Sequence, residues 1–263
     1  MIRLTLAILC SVIGVTAADQ PATLRILCYN IHYGQGMDRK YDVERIAKVI
    51  AAHKPDLVAL QEIDVGVLRS GRVHQIREIA KHVGMQSRYG PTQHYQGGLS
   101  GNGVVSKLPI LDVAIHPLPY TEATKAKITY PRGAVAVTVR APNGKPVRFV
   151  STHFQHNVPA DRLAEAKRIN ELFTDKGDKT PTILAGDMNA LPDADPIKEL
   201  LKKWQHASDE PNVPTAPSTK PRSRIDYIFT RKVDNFRLKE SAVIEEKMAS
   251  DHLPVFAVLE LHQ

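Results

Sequence analysis

Ile183-Leu184-Ala185-Gly186-Asp187-Met188-Asn189 is the stretch on which the reading of this chain turns. An apolar run this short, bounded by a glycine, reads as a buried strand rather than a helix. The glycine permits a tight turn. Asp187 and Asn189, one residue apart, then leave the strand end pointing the same way. A carboxylate so placed can hold a water nucleophile, and an amide can donate to charge developing on an oxyanion. The same two residues would also serve an Asx turn capping the next segment.

The pattern recurs along the chain. Asn30 follows Leu27-Cys28-Tyr29, Glu62 follows Leu57-Val58-Ala59-Leu60, and His153 ends Phe149-Val150-Ser151-Thr152. Asp226 lies inside Arg224-Ile225-Asp226-Tyr227-Ile228-Phe229, and Asp251-His252 precedes a last apolar run. Acids, amides and imidazoles delivered repeatedly by strand ends meet at one spot in a layered sheet protein. That donor set suits a hard divalent cation and a phosphate, because magnesium takes oxygen ligands, keeps several waters and needs only one or two protein carboxylates. Glu62, at a rim just past a buried strand, can meet a cation without the full cost of burial. A carboxylate inside an apolar strand needs a partner, and His252 is the natural one for Asp226. Histidine near its ordinary pKa can pass a proton at neutral pH. Taken singly, His153, Asn30 and Glu62 are equally compatible with structural roles at strand ends.

Working outward, apolar spacing predicts helices over residues 42–52, 73–83 and 160–173, with Asp42 as a cap, and a short helix at 196–201 opened by a proline. Strands are expected at 24–29, 57–60, 103–106, 110–116, 133–140, 147–152, 182–185, 224–229 and 255–261. Asn143-Gly144 is a hairpin signal between two of them. The Gly-rich, polar segment 95–103 reads as a loop, as does the proline-rich 209–223. Helices between some strands and hairpins between others mean mixed sheets covered by helices, an α/β (α+β) protein.

The chain has 263 residues, 43% of them hydrophobic, enough for one large domain, and no linker or repeat divides it. Arg3, an apolar segment over 4–15 and Thr16-Ala17-Ala18 have the form of a secretory signal peptide. The expected division is therefore a leader at 1–18 and one domain at 19–263. Removing the leader takes Cys10 and leaves Cys28 as the single thiol, so no intramolecular disulfide is expected. A net charge of +7 mildly favours anionic partners such as lipid head groups or nucleic acid. With 6% aromatic residues, no stacking platform for single strands is evident.

Asn30, Gln61-Glu62, Thr152-His153, Gly186-Asp187-Met188-Asn189, Arg224-Ile225-Asp226-Tyr227 and Ser250-Asp251-His252, in this order, resemble the endonuclease/exonuclease/phosphatase superfamily of metal-dependent phosphohydrolases. The resemblance runs from Leu24 to Leu261. It implies a four-layer αββα sandwich, two mixed β-sheets flanked by helices, as in pancreatic-type DNases. It also implies Mg2+ or Mn2+ held by Glu62 with Asn30 and Asp251. Asp187 and Asn189 would handle the nucleophile and the transition-state oxygens. His252, oriented by Asp226, would position or deprotonate water, and His153 would stabilise phosphate or protonate the leaving group. Arg132 and Asn30 are expected to touch substrate phosphate, with Arg69 and Arg72 as further candidates.

The Cys-Asp-Arg string of inositol polyphosphate phosphatases is missing here. The opening Tyr29-Asn30-Ile31-His32-Tyr33-Gly34-Gln35-Gly36-Met37-Asp38 is similar to the phosphodiesterase-like domain of GPI-anchor lipid-remodelling proteins and to exported bacterial homologues. The expectation is an exported, monomeric phosphodiesterase acting on a phospholipid or small diester, with no obligate protein partner. A secreted nuclease is the alternative, and a catalytically silent phosphate- or lipid-binding module a third reading.

Overall fold

Strand β1 (Ala22–Asn30) shows how the layers arise. Side chains alternate across a strand. Leu24, Ile26 and Cys28 therefore enter one buried cluster together with Ile183 and Ala185. Leu27 and Tyr29 enter another with Ile46, Ile50, Ile76 and Ile79. A strand buried on both faces reads as a nearly continuous apolar run, which is why 24–29 is so hydrophobic.

The structure, a computed structural model, describes residues 21–126 and 128–262. The expected leader at 1–18 lies outside the described residues. After β1 the order is α1 (Val43–His53), β2 (Leu57–Val65), α2 (Gln75–Val83), β3 (Gln86–Tyr95), β4 (Gly98–Ser106), β5 (Ile110–Pro117), β6 (Gly133–Arg140), β7 (Pro146–His153) and α3 (Pro159–Phe173). Then come β8 (Thr182–Asp187), α4 (Asp195–Leu200), β9 (Trp204–His206), β10 (Asp226–Arg231), β11 (Phe236–Val243) and β12 (Val255–Leu261).

The strands form two six-stranded sheets, β11-β12-β1-β2-β4-β3 and β5-β6-β7-β8-β10-β9. Each is mixed, with β1/β2 and β7/β8 parallel among antiparallel neighbours. One core fills the space between the sheets. A second lies under α1 and α2, and a third joins Leu184 to Ala166, Ile169 and Phe173 of α3 and Ile197 and Leu200 of α4. The fold is the expected four-layer αββα sandwich. Helix α1 starts where Asp42 accepts a hydrogen bond from the Arg45 amide at 2.8 Å, as its sequence predicts.

Three expectations change. Residues 95–103 are not a loop: they form the tip of a β3–β4 hairpin and the start of β4. Glycine is there because the chain is crowded. A Cβ on Gly101 would lie 2.2 Å from the Gly90 carbonyl oxygen, and one on Gly103 would meet Ile76 at the same distance. Gly186 likewise lies within β8, where a Cβ would sit 2.2 Å from the Thr152 carbonyl oxygen, so its purpose is close approach of β7 rather than a turn. The 209–223 connection has no regular strand or helix, yet Thr215, Ala216 and Ser218 are buried. The loop is therefore an internal support, with Thr215 holding the start of β10 at Asp226 and the Ser218 amide donating to the Asp251 carbonyl oxygen at 2.7 Å.

Candidate active site

Strand register brings the predicted residues together. Asn30 pairs with Gln61 across β1 and β2. His153 pairs with Asp187 across β7 and β8, and Asp187 with Asp226 across β8 and β10. A hydrogen bond then joins the two sheets: Asn30 Nδ2 donates to Asp187 Oδ2 at 3.1 Å and to Glu62 Oε1 at 3.2 Å. Glu62 occupies a β-bulge, where the register with β4 jumps between Leu60 and Ile63 and its own φ is +56°. A non-glycine residue held left-handed is uncommon and strained, and bulges of this kind re-aim side chains beside functional sites. Here the bulge turns Glu62 into a cleft of about 310 Å³ that His153, Asp187, Asn189, His252 and Arg132 also line. Asn189, φ +46°, closes the turn after β8 with its amide donating to Asp187 Oδ1 at 2.8 Å.

Two imidazoles flank Asp187 Oδ2, His153 Nε2 at 3.4 Å and His252 Nε2 at 3.9 Å. They are held in opposite ways. His252 Nδ1–H donates to Asp226 Oδ2 at 2.9 Å, which leaves Nε2 toward the cleft. Burial opposes charge on His252, but the Asp226 and Asp187 carboxylates outweigh it and hold its pKa well above the ordinary imidazole value. Asp226 is fixed from behind, since Thr215 Oγ1 accepts from the amides of Ile225 and Asp226 at 3.2 and 3.3 Å.

His153 is pushed well below the ordinary value, first by burial and then by Arg132. Asp187 is raised to about 7, by burial and then by Asp226. Titratable neighbours pushed apart in this way are a mark of catalytic sites.

Arg132, His153 and Asn189 together hold one donor too many. Arg132 Nη1 can only donate, and it faces His153 Nδ1 at 3.2 Å, so the ring proton belongs on Nε2. Yet Asn189 Nδ2 faces that same Nε2 at 3.0 Å and the Phe154 carbonyl oxygen at 3.0 Å. Turning the amide over cures the first contact and spoils the second. Arg132 Nε is buried with no partner. A guanidinium, an amide and an imidazole N–H thus converge on one side of the cleft, with the His153 Nε2 shared between the Asn189 amide and Asp187 Oδ2 at 3.4 Å. An incoming anionic oxygen relieves that imbalance.

Of the expected metal set, Glu62 is turned to the cleft with the neutral Asn30 amide as its hydrogen-bond partner. Asn30 presents its nitrogen to the carboxylates, and its oxygen accepts from the His32 amide at 3.0 Å. Asp251 is half-exposed and lies 3.7 Å from His32 Nδ1; it is outside the cleft lining, whereas its neighbour His252 is part of it. Among the described residues, Asp187, Asp226 and His252 form a group whose ligand atoms lie within 4.8 Å of one another. The Asp226–His252 hydrogen bond uses one nitrogen of that group. Its chemistry is that of a proton relay beside the Glu62 carboxylate. Glu62 thus brings a hard oxygen donor to the cleft, which suits a magnesium-like cation that keeps several of its waters, while Asp251 stands apart from that lining.

Arg69 lines the cleft but is held by Asp64 at 2.8 and 3.0 Å and packed on the Tyr33 and Tyr95 rings at 3.6 and 4.7 Å. Arg72 donates to the Gly66 carbonyl and is not in the lining. Sequence reasoning missed Thr92, Gln93 and Asn102, which line the cleft from β3 and β4, and Tyr130 stacked on His156 at 5.5 Å. His156, on the connection after β7, also lies within 3.4 Å of Arg132. Their only signal was the Gly/polar run around Asn102.

Two mixed sheets between helix pairs, with a carboxylate–imidazole–amide cleft at the shared end, define a phosphoric ester hydrolase. The family model described as "Endonuclease/Exonuclease/phosphatase family" matches residues 27–252, and the chain belongs to that family. Its fold is similar to that of an endonuclease/exonuclease/phosphatase from Beutenbergia cavernae (24% identity, TM-score 0.74, 92% of this chain and 72% of that one). It is also similar to a family protein from Bacteroides thetaiotaomicron (19%, TM-score 0.76, 93% and 100%). A mannosyl-6-phosphatase from the same organism shares the fold as well (19%, TM-score 0.72, 90% and 99%). A search of curated proteins finds no match.

Proposed function

We propose that this protein is an exported, divalent-metal-dependent phosphodiesterase acting on a phospholipid head group or a small diester. The observation that carries the reading is the donor surplus at Arg132, Asn189 and His153, opposite a carboxylate held near neutral pKa. Asp187, raised to about 7, is matched to taking a proton from water at neutral pH. The water oxygen bonds to phosphorus, its proton passes to Asp187, and the ester P–O bond breaks, the leaving oxygen being protonated from solvent. Arg132 and Asn189 meet the charge on the phosphoryl oxygens, and the His252–Asp226 pair balances the charge of Asp187. Glu62, the expected ligand that faces the cleft, would hold the cation, which when bound supplies Lewis-acid polarisation of the phosphoryl oxygens. Export rests on the leader-like residues 1–18.

The test is hydrolysis of bis-(p-nitrophenyl) phosphate with and without Mg2+ or Mn2+, beside sphingomyelin, plasmid DNA and p-nitrophenyl phosphate. Metal-dependent turnover of the diester, lost in Glu62→Gln and His252→Ala variants that keep their fold, is expected. Turnover confined to DNA would select the nuclease reading, and turnover confined to the monoester would overturn diester specificity. No turnover on any substrate would point to a binding module.

A further inference from the structure

Among the described residues the exposed large apolar side chains include Leu111, Val113 and Ile115 along the edge strand β5 and a second set at the site end. Register places the ends of β1, β2, β3, β5, β8 and β11 at the site end: Val65 pairs with Leu99 beside the β3–β4 tip, Pro117 with Gly133, and Val243 with Val255. The connections leaving those ends carry Met37, Leu68, Tyr95, Ile128, Leu191 and Met248, all exposed. Leu68 and Ile128 are 60% and 62% exposed, high for aliphatic side chains in a protein that buries most of its own. Each adjoins cleft-lining residues, Leu68 next to Arg69 after β2 of one sheet and Ile128 two residues before Tyr130 on the connection into β6 of the other. Backbone bonds tie these loops in pairs, Met37 N to Met248 O at 2.8 Å and Leu68 N to Gln96 O at 3.3 Å. The apolar tips are thus presented from anchored loops.

We propose that this rim is a lipid-docking surface, which seats the cleft mouth on a bilayer so that the polar head group enters while the apolar tips reach the acyl boundary. The inference deepens the phosphodiesterase reading and rests on it for the choice of substrate. Two features favour a lipid surface over a protein. First, the apolar residues are single and surround a mouth that must stay open; a second copy or a protein partner seated on them would cap the cleft, whereas a bilayer delivers substrate into it. Second, exposed cations stand beside the apolar tips, Arg39 near Met37, Arg72 near Leu68 and Lys125 near Ile128, while Lys247, next to Met248, is paired with Glu245 at 3.3 Å. Long cationic chains at apolar edges keep their charge at the head-group level and add attraction to anionic lipid. The cleft lining itself is polar, with Thr92, Gln93 and Asn102 along one wall, which suits a head group and not a tail.

Flotation of the full chain with vesicles of phosphatidylcholine and phosphatidylglycerol, in EDTA, tests docking apart from catalysis. The wild type is expected to float with the vesicles. Leu68→Ser/Ile128→Ser should cut the bound fraction by about tenfold or more, since each change withdraws an apolar side chain from the boundary. Its turnover of soluble bis-(p-nitrophenyl) phosphate should be unchanged, which also reports that it is folded. Val233→Ser, on an 85% exposed residue away from the site end, should bind like the wild type. Failure of the wild type to float, or equal flotation of the double variant, overturns the docking surface. Concentration-dependent self-association that the double variant abolishes would assign the rim to a second copy and also overturn it. Flotation without diester turnover would keep the docking surface and sink the phosphodiesterase reading instead.

Discussion

Glu165, on the inner face of α3, is fully buried, and only one of its carboxylate oxygens is served. Oε2 accepts from the Gln155 amide at 2.9 Å, and Oε1 is buried without a partner. Burial lifts its pKa from 4.5 to about 8, against the lowering pull of the Gln155 amide and Arg132. The folded state therefore holds this proton over a range in which the unfolded chain has lost it. Stability must fall as pH rises from the unfolded value through the folded one. Between pH 5 and pH 8 the loss from this residue alone is about 3–4 kcal/mol, at ~1.4 kcal/mol per pKa unit.

Glu165→Gln keeps an oxygen for the Gln155 amide and removes the charge. Urea unfolding of both proteins in EDTA, at pH 5 and pH 8, isolates the residue. Asp187, also raised, adds to the fall with pH, while His153, which is depressed, opposes it. The wild-type minus variant difference cancels both. The variant should gain on the wild type by about 3–4 kcal/mol across that window. A difference that stays constant with pH, or that moves the other way, refutes the account of Glu165 as a neutral buried acid.

Asp226→Asn should lower kcat on the diester by roughly a hundredfold or more with little change in KM, because His252 loses both its orienting acceptor and its charge partner; NMR titration should show the His252 pKa falling, and an unmoved pKa would count against the dyad. Gly186→Ala should cost about 3 kcal/mol or more in urea unfolding, since the added Cβ meets the Thr152 carbonyl oxygen at 2.2 Å. An unshifted midpoint would show that β7 and β8 have room to part. Arg69→Ala should cost about 3–5 kcal/mol by leaving the fully buried Asp64 carboxylate unpaired, and adding Asp64→Asn should restore much of it.

Most of the candidate site was legible because strand ends carry their own punctuation. An apolar run followed by an acid or amide marks Asn30, Glu62 and Asp187 whatever the tertiary context. What escaped were residues whose position depends on a partner far away in sequence. Gly98 to Asn102 looked like a loop because glycine normally weakens strands. Gly98 answers instead to the backbone of Gly66 and Val67, and Gly101 to that of Gly90, partners that lie outside the segment itself. Strand β11, with three acidic or basic side chains in eight residues, lies at a sheet edge with an alternating exposed face, and edge strands carry little apolar signal. The surplus of donors around His153 was equally invisible, since it arises from Arg132 and Asn189 arriving on different strands.

The bond from Asn30 to Asp187 spans 157 positions along the chain and crosses between the sheets. Catalytic competence is therefore a sensor of completed assembly. Neither sheet carries a working half-site, so a folding intermediate with one sheet formed would be silent, and fragments divided between the sheets, three of them because β11 and β12 return to the sheet of β1, would regain activity only when docked together. During synthesis the activity has to switch on late, once His252 has been made and has emerged. Until then the growing polypeptide holds its phosphate chemistry in disconnected parts.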